Sequence, residues 1–106
     1  MALLYVTEFG ATFADANGGG HIVMSNLIVN QSPLAVGATA ILSLAFSRGT
    51  RILRLNLDSN GGFGANIAIS TNPVAVANIS MRMSPNATEY FAVSPGDKVS
   101  VIVSAS

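Results

Sequence analysis

An all-β fold, a compact antiparallel β-sandwich of the jelly-roll kind with about eight strands, is what this sequence predicts. Three observations lead there. Apolar residues recur at every second position, no window sustains a helical period, and turn-forming residues fall between the apolar runs. At 106 residues the chain makes one domain.

The first strand spans 3–8, in a stretch dense with Leu3, Leu4, Tyr5, Val6, Phe9 and Phe13. A free tail of that character would expose an associating surface. Residues 1–15 are therefore expected to dock, as an edge strand of their own domain or as an arm added to a neighbouring subunit's sheet. The run Ala16-Asn17-Gly18-Gly19-Gly20 has linker composition and separates them from a sandwich over 16–106. Strands at 21–30 and 38–47 follow. In the latter, Ala40, Leu42, Leu44 and Phe46 alternate with Thr39, Ile41, Ser43 and Ala45. Residues 50–58 repeat the pattern, with Leu53, Leu55 and Leu57 on one face and Ile52, Arg54 and Asn56 on the other. Strands over 64–70, 74–83 and 88–93 lead to 98–104, where Val99, Val101 and Val103 oppose Ser100, Ile102 and Ser104.

Between them, Asn60-Gly61, Asn72-Pro73, Ser84-Pro85-Asn86 and Pro95-Gly96 supply positive φ or the fixed φ of proline. A hairpin centred on Pro85-Asn86 sets Arg82 opposite Glu89, a structural pair, and Met81 opposite Tyr90. A second, at Pro95-Gly96, sets Tyr90 opposite Val101 and Ala92 opposite Val99. Met81, Tyr90, Ala92, Val99 and Val101 then share a core face. Ser80, Arg82, Glu89, Phe91, Ser100 and Ile102 form the other, a mixed surface suited to a partner.

Charge is the scarcest component. Charged residues make up 9% of the chain, against about 25% in an ordinary domain, and none occurs from Ile22 to Ser47 or from Ser59 to Met81. Such a surface is expected to be covered by neighbours. The net charge of zero offers no field for nucleic acid or an anionic membrane, so neither is an expected partner. The apolar run Leu34–Phe46 is shorter than the ~20 residues of a membrane helix. Without a signal-like N-terminus, synthesis in the cytoplasm is expected.

No catalytic, metal or cofactor site is expected. Cysteine is absent, and His21, the one histidine, adjoins a glycine run where an exposed turn residue is the ordinary reading. Glu8, Asp15, Asp58, Glu89 and Asp97 are scattered, and Gly61, Gly62 and Gly64 lack the Lys-Ser/Thr of a phosphate loop. Among Arg48, Arg51 and Arg54, strand alternation turns Arg51 away from the other two. Arg48 and Arg54, with arginine's fork for carboxylates, join Phe91 and the N-terminal Leu3, Leu4, Tyr5, Val6, Phe9 and Phe13 as candidate partner contacts.

The second half of the chain carries Arg51-Ile52-Leu53-Arg54-Leu55, Asn72-Pro73-Val74-Ala75, Met81-Arg82-Met83, Glu89-Tyr90-Phe91-Ala92-Val93 and Pro95-Gly96-Asp97-Lys98-Val99-Ser100-Val101-Ile102. Over Thr50 to Val103 this resembles small virion proteins of tailed bacteriophages, of the capsid decoration (cement) type. The resemblance implies a structural protein without catalytic residues, located on the capsid surface, that bridges neighbouring major capsid proteins. Self-association is expected with it, as a homotrimer first and a dimer second. The competing expectation is a glycan- or receptor-binding sandwich of a tail fibre or spike. The absence of tryptophan works against a glycan platform.

Overall fold

The structure, a computed structural model, describes residues 2–14, 22–59 and 62–104. Within them, nine strands form two antiparallel sheets packed face to face. The five-stranded sheet holds β1 (Ala2–Ala14), β2 (Ile22–Asn30), β3 (Leu34–Val36), β5 (Ile52–Asp58) and β8 (Thr88–Ala92). Its neighbour order is β2-β1-β5-β8, with β3 continuing β2 along the same side of β1. The break between β2 and β3 falls at Gln31–Pro33, where proline has no N–H to donate. The four-stranded sheet, in the order β4-β9-β6-β7, holds β4 (Ile41–Leu42), β9 (Lys98–Val103), β6 (Ala65–Ser70) and β7 (Met81–Met83).

The winding is that of a jelly roll. The connections β3 to β4, β4 to β5, β5 to β6, β7 to β8 and β8 to β9 all cross between sheets, and only β6 to β7 stays within the four-stranded one. One feature is permuted: β1, the first strand, occupies the slot between β3 and β5 that the last strand of a jelly roll ordinarily fills.

Strand alternation builds the core. Leu4 and Val6 of β1 and Leu53, Leu55 and Leu57 of β5 face Ala65 and Ile67 of β6, Met83 of β7, and Val99 and Val101 of β9. Val36 and Phe46 close the cluster. Burying a side chain of this size contributes about 1.5–3 kcal/mol each before entropy is subtracted.

β1 departs from the edge-strand expectation for residues 1–15. Over residues 3–9 it is an interior strand and not an edge, lying between β5 on one side and β2 and β3 on the other. Leu4 and Val6, expected as partner contacts, are fully buried because the inward phase of β1 places them against the second sheet. Beyond Phe9, β1 pairs with β2 alone, so Ala11–Ala14 and Ile22–Ser25 make a two-stranded ribbon. Thirteen residues at ~3.3 Å each span about 43 Å. The long axis of the molecule, 45 Å, is thus close to the length of this strand.

The expected strand at 38–47 is interrupted. Ile41 pairs with Val101, Ser43 bonds Val99, and Phe46 then bonds Asp97, so one extra residue is inserted at Leu44–Ala45. The bulge reverses the phase. Ser43 and Phe46 both point inward, while Leu42 and Leu44, expected beside Phe46, are exposed. In the expected strand 74–83, only Met81–Met83 pairs.

Both expected hairpins are corners. After the Ser84–Ala87 turn, with Asn86 at φ 60°, Leu57 N–H donates to Ala87 O and the chain joins β5 instead of folding back on β7. After the Ser94–Asp97 turn, with Gly96 at φ 86°, β9 joins the opposite sheet. Arg82 therefore stands opposite Asn66, and Glu89 opposite Leu55, so the predicted cross-strand register of Arg82 with Glu89 does not form. The registers of Met81 with Tyr90, Tyr90 with Val101 and Ala92 with Val99 fail for the same reason. Met81, Tyr90 and Ala92 are exposed, not core. A turn residue dictates chain reversal, but the free edge that captures the next strand is chosen by apolar burial: Phe91 extends the Leu53 row of β5.

Candidate interaction surfaces

Glu8 is the one fully buried carboxylate among the described residues, and its partners define its work. Oε1 accepts from Ser47 N–H (2.6 Å) and from the Thr50 hydroxyl (2.6 Å), and Oε2 accepts from Gln31 Nε2 (2.9 Å). Gln31 also bonds Leu44 at both its N–H (3.0 Å) and its carbonyl (3.2 Å), imitating one rung of a β-ladder. Together they tie the bulged loop 43–50 to β1 and close one side of the sandwich. By composition Glu8 is one of five scattered acids. The signal that singles it out is its place on the inward phase with Leu4 and Val6.

The outer face of the five-stranded sheet is bare of the described chain. Register places Leu3, Tyr5, Thr7 and Phe9 of β1, Ile52, Arg54, Asn56 and Asp58 of β5, and Thr88, Tyr90 and Ala92 of β8 on it. Tyr90 is 52% exposed and Tyr5 39%. Of the sequence-predicted contacts, Leu3, Tyr5, Phe9 and Arg54 come together here. The only charges on this face among the described residues are Arg54 and Asp58. Neither side chain has a hydrogen bond or ion pair there.

The outer face of the four-stranded sheet is roofed by the β6–β7 connection, residues 71–80. Ser100 Oγ accepts from Ala75 N–H (2.9 Å), Asn66 Oδ1 accepts from Asn78 N–H (2.9 Å), and Asn66 Nδ2 donates to Ser80 O (2.6 Å). Asn66 and Ser100 point outward from their strands yet are buried, and Pro73 and Ala75 are buried with them. The roof turns other side chains to solvent: Val74 is 71% and Ile79 81% exposed, with Val76 beside them. Leu42 stands opposite Ser100 in the ladder, and Leu44, 74% exposed, follows it. The two charge-free stretches of the sequence thus meet at Ser100 on an exposed apolar surface, with Lys98 and Arg82 at other outward positions of the same sheet.

A shallow cleft of about 420 Å³ opens between the sheets where β7 and β8 leave the sandwich unclosed, lined by Ile69, Met81, Phe91, Ala92, Val93, Ser94 and Asp97. Phe91, expected as a partner contact, faces inward here and packs half-buried against the core. The carboxylate of Asp97 accepts weakly from Thr71 (3.4 Å). Arg48 is exposed on the 43–50 loop, and Arg54 is half-buried on β5. Among the described residues no three of His, Cys, Asp and Glu come close enough to hold a metal ion, and no helix is long and apolar enough to cross a membrane. His21 and Asp15, and the side chain of Phe13, lie outside the described residues.

These surfaces define the chain as a β-sandwich of jelly-roll winding with two contrasting outer faces. Comparison with protein-family models, curated proteins and solved structures finds no match.

Proposed function

We propose that the protein is a structural virion component of a tailed phage, a decoration subunit that stabilises a capsid by seating the exposed apolar residues of its four-stranded side across neighbouring major capsid proteins. The observation that carries this reading is the exposure of Leu42, Leu44, Val74, Val76 and Ile79 on and around the outer face of the four-stranded sheet, where Lys98 and Arg82 are the charged residues at outward positions. A free monomer gains nothing from that surface, whereas burial against a partner contributes about 25 cal/mol per Å² of apolar area. The resemblance of residues 50–103 to phage decoration proteins supplies the partner. The job is binding, with no chemical step. Purified protein added to capsids stripped of decoration subunits is expected to co-sediment and to raise their heat resistance. Val74→Asp with Ile79→Asp is expected to abolish both while the fold is retained. No co-sedimentation with wild-type protein would sink the proposal.

One observation favours the glycan-binding reading instead: Tyr5 and Tyr90 flank Arg54 and Asn56 on the bare sheet face, a pair of aromatic plates with polar groups between. A glycan-array signal lost in Tyr5→Ala and Tyr90→Ala would establish that reading, and a blank array removes it.

A further inference from the structure

We propose that the bare outer face of the five-stranded sheet is a two-fold interface with a second copy of this chain. This goes beyond the capsid reading and does not depend on it. Arg54 and Asp58 lie on the same face of β5, two outward positions apart with Asn56 midway. Four residues of strand separate them by about 13 Å, too far for a salt bridge within one molecule. Among the described residues each is left without a side-chain partner.

A two-fold axis lying in the interface, perpendicular to the strands and passing over Asn56, solves this. Rotation about it reverses the strand direction and inverts the face, so Arg54 of one copy comes over Asp58 of the other, and the reverse, by a single operation. The same axis keeps β1 over β1. Tyr5 is in register with Asn56, so it lies on the axis line and meets its own copy. Sheets pack face to face at ~10 Å, a distance that an extended arginine and an aspartate together bridge. The two ion pairs set register and orientation, and the tyrosines with Leu3 and Phe9 contribute the apolar area.

A three-fold arrangement would use two different patches on each subunit. Opposite charges placed evenly about one point of one face are what an isologous contact requires. The occupant is therefore a second copy, and an open aromatic platform for glycan is the alternative outcome.

Sedimentation velocity on the full chain tests this. Wild-type protein is expected to be dimeric at micromolar concentration. Arg54→Asp sets carboxylate against carboxylate at both symmetry-related contacts, and Asp58→Arg sets guanidinium against guanidinium at both; each is expected to weaken dimerisation by about tenfold or more. Mixing the two variants restores opposite charge at both contacts, so the mixture is expected to return to dimer. Because both positions are on the surface, thermal melts are expected to be little changed. A wild-type monomer or trimer, single variants that remain dimeric, or a mixture that stays monomeric would each overturn the proposal. So would glycan binding by a monomer that is lost on mutating Tyr5 and Tyr90.

Discussion

The two outer faces of this sandwich solve the same problem differently. On the five-stranded sheet, outward positions carry tyrosines, Arg54, Asp58, Asn56 and Thr88, and of these Tyr5, Asp58, Thr88 and Tyr90 are exposed. On the four-stranded sheet, outward positions carry Asn66, Ala68, Ser70, Arg82, Lys98, Ser100 and Ile102, and residues 71–80 are tied over Asn66 and Ser100. On that face the small uncharged Asn66 and Ser100 are the side chains that receive backbone. Their amide and hydroxyl groups satisfy the N–H and C=O groups of an irregular segment that would otherwise be buried without partners. Aromatic outward residues, Tyr5, Phe9 and Tyr90, mark the face left open, while charged ones occur on both.

The common reference for both faces is the core between them. Leu55→Ala is expected to cost about 2–5 kcal/mol, read by urea denaturation, because Leu55 is fully buried at the centre of β5. Loss of less than ~1 kcal/mol would mean that the sheets do not pack on this row. Next comes the clamp that holds loop 43–50. Glu8→Ala leaves Ser47 N–H, the Thr50 hydroxyl and the Gln31 amide without their acceptor, and a loss of about 2–4 kcal/mol is expected. Hydrogen exchange at Ser47 should accelerate well beyond that of β5.

The roof is sharpened by Ser100→Ala, which removes the acceptor of Ala75 N–H at a buried position, for about 1–2 kcal/mol. The distinctive readout is faster amide exchange at Ala75 than at the ladder positions of β9; uniform exchange would mean that residues 71–80 are not held through this contact. At the corner, Asn86→Ala is expected to cost about 1 kcal/mol, since φ of 60° disfavours a Cβ that lacks a local polar compensation, and the side chain also accepts from Ser59 N–H. Smallest is the bare face: Tyr90→Ser is expected to change stability by no more than about 0.5 kcal/mol. A large loss would show that Tyr90 supports the fold and not an interface.

Period-two alternation made β5 legible before any coordinates. Leu53, Leu55 and Leu57 point inward as expected, and so do Val99 and Val101. Sequence also marked Leu3, Tyr5, Phe9 and Arg54 as contacts, and they share the open face. It counted Leu4 and Val6 with them although both are fully buried, since an apolar residue on a strand looks the same whether it faces a core or a partner. Gly64 shows a related limit. Its neighbours suggest hairpin chemistry, yet a Cβ there would sit 2.5 Å from the Met83 carbonyl, so the requirement comes from the close approach of β7.

Local patterns are enough to dictate that the chain is all-β, where most strands lie, and that it is poor in charge. These follow from local alternation and turn chemistry, which act over a few residues. Long-range packing made the turns at Asn86 and Gly96 corners, placed residues 3–9 of β1 in the interior of its sheet, and put a bulge in the strand at 38–47. Those outcomes depend on which free edge captures a strand and on which polar groups find partners, such as Glu8 with Ser47 and Ser100 with Ala75. These are contacts between residues far apart in the chain, and no local pattern carries them.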